Sequence, residues 1–133
     1  MTWDTNVLRE ARQAVADIIT TELPDVSVVT EWTGREHSGQ VIIDGQGWKP
    51  LTGGVMVYDV RVTTIYAGTN AEVTCEDLSW QVYLALTNSD QAVTTPIPEG
   101  CGPVGIITQG SGESTRTYAA TQMTVQIQVT LTE

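Results

Sequence analysis

At 133 residues and 41% hydrophobic content the chain has the size of one domain, spanning 1–133, and a wholly disordered polymer is excluded. The net charge is −10, from 16 acidic and 6 basic residues, and Arg9, Arg12, Arg35, Lys49, Arg61 and Arg116 are scattered, which argues against direct nucleic-acid binding by phosphate neutralisation. Charged residues make up only 17% of the chain, against roughly 25% in soluble domains, a sign of surface held against partners.

The first predicted element is a helix. Val7, Ala11, Ala14, Val15, Ile18 and Ile19 recur at helical spacing, Asp4 is a candidate N-cap, and Pro24 stops the helix after Leu23. "DVSVVTEW" then reads as a strand with Val26, Val28 and Thr30 on one face. Residues 34–54 read as a long connection interrupted by a short strand, "VIIDGQGW", that runs into glycine-rich sequence. A long strand follows over 55–66. Met56, Tyr58, Val60, Val62 and Tyr66 share its apolar face, and Asp59, Arg61 and Thr63 share the polar one.

Thr69-Asn70-Ala71-Glu72 has the form of a capping box and predicts a second helix to about Leu86, with Asn88 as its stop. Its expected apolar stripe is Ala71, Cys75, Leu78, Val82 and Ala85, so Leu78→Ala is expected to cost about 2–5 kcal/mol. Trp80 lies off that stripe, either packed against a loop or serving as an interface anchor. Residues 89–116 are rich in Thr, Pro and Gly and read as loop, with "VGIIT" a candidate strand inside. The last element is a strand in which Ala119, Thr121, Met123, Val125, Ile127, Val129 and Leu131 alternate with Tyr118, Gln122, Thr124, Gln126, Gln128 and Thr130.

The order α-β-β-β-α-β-β predicts an α+β fold: a largely antiparallel sheet with both helices packed on one face. The other face is then the informative one. Its uncharged hydrogen-bonding side chains cost less to bury than charges do. It is either an ordinary wet face or a surface that meets neighbouring subunits or lines a channel. The final strand is also a candidate edge for pairing with another chain.

Catalytic and metal signatures are weak. His37 in "GREHSG" is a lone loop histidine, and Glu31, Glu36, His37 and Asp44 match no EF-hand or HExxH spacing. "GQGWKP" lacks the third glycine of a dinucleotide fingerprint, and "GSGES" is not a nucleophile elbow. Glu76 and Asp77 are adjacent on a helix and diverge, and Cys75 falls on the apolar stripe. No enzyme, cofactor or metal site is expected. Cys75 and Cys101 stand outside any CxxC spacing, as expected of thiols that are buried or kept reduced. No apolar run approaches the ~20 residues of a membrane span, and "MTWDTNVLREA" lacks a signal-peptide pattern, so a soluble, intracellularly made chain is expected.

An N-terminal helix ending in "ELPDVSV", a glycine-rich β region, "YDVRVTTIYAGTNAEVTCEDLSWQVYLAL" and a terminal "MTVQIQVTLT" together resemble the tail terminator (tail completion) proteins of long-tailed, siphovirus-type bacteriophages. The likeness is one of element order, length and strand-to-helix texture over nearly the whole chain. It implies a homo-oligomeric ring, typically hexameric, in the virion tail or neck, assembled in the host cytoplasm. Such a ring caps the tail tube, ends tube polymerisation, and provides the head–tail joining interface for head-completion or connector proteins. DNA passes through the bore without specific binding. Six copies at −10 each carry −60, a field that lets DNA slide. On this reading Asp59, Arg61, Gln122, Gln126 and Gln128 are candidates for subunit contact or bore lining. The 34–54 and 89–116 loops are candidates for contacting tube or connector. The rival readings are a head-closure or tail-tube subunit and, from another class, a small α+β ligand-binding module.

Overall fold

A computed structural model describes residues 7–51, 53–88, 95–101, 105–109 and 116–130. In chain order these form α1 (Val7–Glu22), β1 (Ser27–Val29), β2 (Gln40–Pro50), β3 (Val55–Tyr66), α2 (Ala71–Thr87), β4 (Thr95–Cys101), β5 (Gly105–Gln109) and β6 (Arg116–Thr130). The class is α+β in the expected order, with one strand more than expected after α2. The six strands make one mixed sheet, ordered β1-β2-β3-β6-β4, with β5 also paired to β6. Among the described residues only the β1–β2 pairing is parallel.

Alternation accounts for the core. Val41 and Ile43 of β2, Tyr58, Val60 and Val62 of β3, and Met123, Val125 and Ile127 of β6 lie on one sheet face, and both helices cover it. α1 supplies Ala11, Val15, Ala16, Ile18 and Ile19 from one stripe. The helix stops before Pro24, where Leu23 donates its amide to Ile19 O (2.8 Å) and Val26 donates to Leu23 O (3.0 Å). Each fully buried aliphatic side chain contributes roughly 1.5–3 kcal/mol.

The inward line of α2 is Cys75, Ser79, Val82, Ala85 and Leu86, which corrects the expected stripe. Leu78 is half-buried on its flank, because the line Cys75–Ser79–Val82–Leu86 points straight at the sheet. Ser79 is tolerated there because its hydroxyl donates to Glu76 O (2.8 Å). Cys75 lies over the C-terminal end of β3 and the N-terminal part of β6, its Sγ within hydrogen-bond reach of Thr64 O (3.3 Å) and Ala119 O (3.6 Å). The capping box does not form: Asn70 is the N-cap, left-handed at φ 57°, without a side-chain cap bond, and Thr69 is exposed. Asn tolerates that conformation where most residues do not. At the other end Asn88 donates its amide to Leu84 O (2.9 Å), as expected of a stop. Asp4, the other expected cap, lies outside the described residues.

Two expected loops contain strands. Residues 34–54 hold β2, which runs to Pro50 through a register shift between Gly45 and Gly47. Its hairpin with β3 turns at Gly53 and Gly54, both at φ near +73°, a region open to glycine. Residues 89–116 hold β5, near the candidate "VGIIT", and β4, which carries prolines at 96 and 98. Proline is confined to sheet edges, and β4 lies at one end of the strand order. β6 is not an edge. It pairs with β3 along its length, and its other side is shared by β5, opposite residues 116–120, and β4, opposite residues 123–128.

Candidate functional site

The expected polar residues fall together on the sheet face away from the helices. Cross-strand rows there run Ile42–Thr63–Gln122, Asp44–Arg61–Thr124, Gly47–Asp59–Gln126 and Lys49–Val57–Gln128. The structure therefore brings Asp59, Arg61, Gln122, Gln126 and Gln128 onto adjacent strands. Gln122 and Gln128 are exposed, and Asp59, Arg61 and Gln126 are half-buried.

Arg61 is already committed. Its Nη2 donates to Asp44 Oδ2 (2.9 Å) and its Nε to Asp44 Oδ1 (3.3 Å), a two-point ion pair between residues directly opposite in register. Gln46 Nε2 also donates to Asp44 Oδ2 (2.8 Å). The pair is partly solvated, so it adds no more than about 1 kcal/mol of stability, but it cancels both charges locally. With Asp59 and Lys49 the face carries two carboxylates and two cations. An open concavity of about 520 Å³ lies over it, lined by Gln46, Arg61, Gln122 and Thr124 on one side and Ile106 on the other.

One end of this face is dry. Ile42, Ile65, Tyr118 and Ala120 form a second small cluster, covered by Val29, Trp32, Ala67 and Ile107. Tyr118, expected on the polar side, is 3% exposed and donates its hydroxyl to Glu36 O (2.9 Å). The 30–39 segment above it is tied down closely. Ser38 Oγ donates to Ala67 O (3.1 Å) and accepts from Ala67 N (2.9 Å), and Gly39 N donates to Ile65 O (2.9 Å).

Glu36, 2% exposed, organises that segment. Its Oε1 accepts from Thr33 N (2.5 Å), Gly34 N (3.1 Å) and Thr33 Oγ1 (3.3 Å). Burial works to raise its pKa. The amide hydrogen bonds from Thr33, its own residue and Gly34, with the Thr33 hydroxyl, outweigh burial and hold it below the usual carboxyl value.

The weak chemical candidates do not converge. Glu36 is occupied by Thr33 and Gly34, Asp44 by Arg61, and Glu31 is exposed. His37 is exposed, its Nδ1 3.2 Å from Ser38 O. Among the described residues no three His, Cys, Asp or Glu side chains gather as a metal site, and no helix is long and apolar enough to cross a membrane. Sequence reasoning placed Thr124 on the polar side of the last strand without naming it a site candidate, and missed Asp44 as a member of the face. The strand "VIIDGQGW" that holds Asp44 is legible in sequence, but its register against β3, which sets Asp44 opposite Arg61, is obscured by the shift between Gly45 and Gly47.

No protein-family model matches the chain, and a search of curated proteins finds none that matches its sequence. Among solved structures it is similar to the gp17 protein of bacteriophage SPP1, at 20% identity and a TM-score of 0.43, over 93% of this chain and 94% of that one. A likeness at that score carries no functional weight.

Proposed function

We propose that the chain is a structural virion subunit of the tail-terminator kind: it forms a ring that caps a bacteriophage tail tube, ends tube polymerisation and presents the joining surface for head-completion proteins. One observation carries the reading. The outer faces of β2, β3 and β6 are laid with Gln, Thr and a closed Asp44–Arg61 ion pair, a surface suited to repeated burial against copies of itself. The sequence resemblance in element order supports the same reading.

Charge separates the two roles open to this face. A bore that lets DNA slide needs excess negative charge, whereas here Asp44 and Asp59 are balanced by Arg61 and Lys49. The face therefore suits subunit contact. The helices carry Glu10, Asp17, Glu22, Glu72, Glu76 and Asp77 against Arg9 and Arg12, so the helical layer is the acidic side. In this reading the partners are further copies of the chain, the tail tube protein and a head connector, with DNA passing unbound.

The test is addition of purified protein to a lysate that lacks terminator activity, with tail lengths measured by electron microscopy. Tails of uniform normal length, capped by a discrete ring, are expected. Long hollow rods of the protein alone would assign it to the tube instead. An unchanged length distribution would refute the terminator role. A monomer that saturably binds a small ligand in the concavity would favour the binding-module reading.

A further inference from the structure

α2 is apolar on both sides. Opposite its buried line, Val73, Trp80 and Leu84 project from one outer face and are 64%, 59% and 37% exposed. Spacings of 7 and 4 residues keep them in one stripe. Trp80 is held by stacking on Tyr83, with ring centroids 5.4 Å apart and planes 17° from parallel, so the indole is a pre-organised platform. Beside Leu84 a groove of about 210 Å³ opens between the C-terminal ends of the two helices, walled by Glu22 and Leu23. Carboxylates set the pattern around the apolar groups. Asp77 sits within the stripe, one helical turn from both Val73 and Trp80; Glu76 flanks it, and Glu22 borders the groove. α2 contains no Lys or Arg.

We propose that this face of α2 docks a basic, amphipathic segment of another protein. Its apolar side chains would cover Trp80 and Leu84, and its Lys or Arg would meet Asp77, Glu76 and Glu22. Charge complementarity selects that occupant. A contact between this face and the same face of a second copy would oppose the carboxylates of Asp77, Glu76 and Glu22 to one another, with no Lys or Arg of α2 to offset them. An exposed tryptophan ringed by charge is the composition of a binding anchor. The proposal is independent of the ring reading, since it uses the helical side rather than the sheet face.

The test titrates the full chain into a fluorescently labelled 18-residue peptide of Leu and Lys at helical spacing, read by anisotropy at 150 mM salt. A Leu/Glu peptide of the same pattern is the comparison. Asp77→Lys and Asp17→Lys, the latter on the exposed face of α1, change net charge equally. Trp80→Ser and Asp77→Lys are each expected to weaken binding about tenfold, which corresponds to about 1.4 kcal/mol; Asp17→Lys should change it less than about twofold, within surface-charge effects. Equal losses from the two charge reversals would show only the bulk field and overturn the proposal. So would an unchanged affinity for Trp80→Ser, equal binding of the Leu/Glu peptide, or no binding by the parent chain. Sedimentation in which Trp80→Ser alone dissolves an oligomer would identify a second copy as the occupant, and refute the basic partner.

Discussion

Gly45 stands opposite Val60 in the β2–β3 ladder, and the ring of Tyr58 lies diagonally across it. A Cβ at this position would overlap the phenol oxygen and approach Cζ to 3.0 Å and Cε1 to 3.2 Å. The ring cannot swing away, since Tyr58 is 2% exposed and its oxygen accepts from Arg12 Nη1 (2.8 Å). The backbone of Gly45 is not in the left-handed region, so alanine there carries no conformational strain. On backbone grounds alone Gly45→Ala should stabilise by about 0.4–1 kcal/mol. Overpacking costs about 1–3 kcal/mol, and displacing a hydrogen bond to a charged group about 1.5–3 kcal/mol. The expected net loss is about 2–5 kcal/mol by urea unfolding. In a Tyr58→Phe background the colliding oxygen is gone, and Gly45→Ala should cost at least about 1 kcal/mol less, a coupling of the size found between residues in contact. Equal costs in the two backgrounds, or a stabilised single variant, would refute this packing.

Leu86, 1% exposed, should lose about 2–5 kcal/mol on truncation to alanine, and half-buried Leu78 clearly less, checked by parallel urea melts. Glu36→Gln should cost about 1–3 kcal/mol at pH 7 by weakening the amide bonds to its side chain. Because folding lowers the Glu36 pKa, its contribution is full above the ordinary carboxyl value of about 4.3 and fades as pH falls through the folded value, so the two stability curves should converge in acid. Thr63, fully buried with no hydrogen-bond partner for its hydroxyl among the described residues, should gain up to about 1 kcal/mol as Thr63→Val. A loss of that size on calorimetry would show the hydroxyl to be bonded in solution.

Periodicity made α1, β3 and β6 legible, because each keeps one spacing from end to end and one face fully buried. β2 was truncated in the reading because Gly45 and Gly47 erase alternation at the register shift. β4 was hidden by its prolines, which read as loop in sequence yet are compatible with an edge strand. Tyr118 looked polar from its place in the alternation. Only the folded 30–39 segment, brought over it by long-range hydrogen bonds, makes that position dry. The candidate face was legible for a simpler reason: strand parity assigns Asp59 and Arg61, and Gln122, Gln126 and Gln128, to common faces without knowledge of contacts. Nothing in parity says that Arg61 is neutralised by Asp44, which took the hairpin register to find.

The central place of β6 has a consequence for biosynthesis. β4 and β5 wait for residues 116–130 as their ladder partner, and β3, already paired to β2, waits for them on its other edge. On the ribosome these are synthesised after every other described element, so the nascent chain holds those ladder edges open until β6 has emerged. Commitment to the native sheet therefore waits on β6, and a stop codon ahead of Arg116 would release a product in which β4 and β5 lack their ladder partner and β3 keeps only β2.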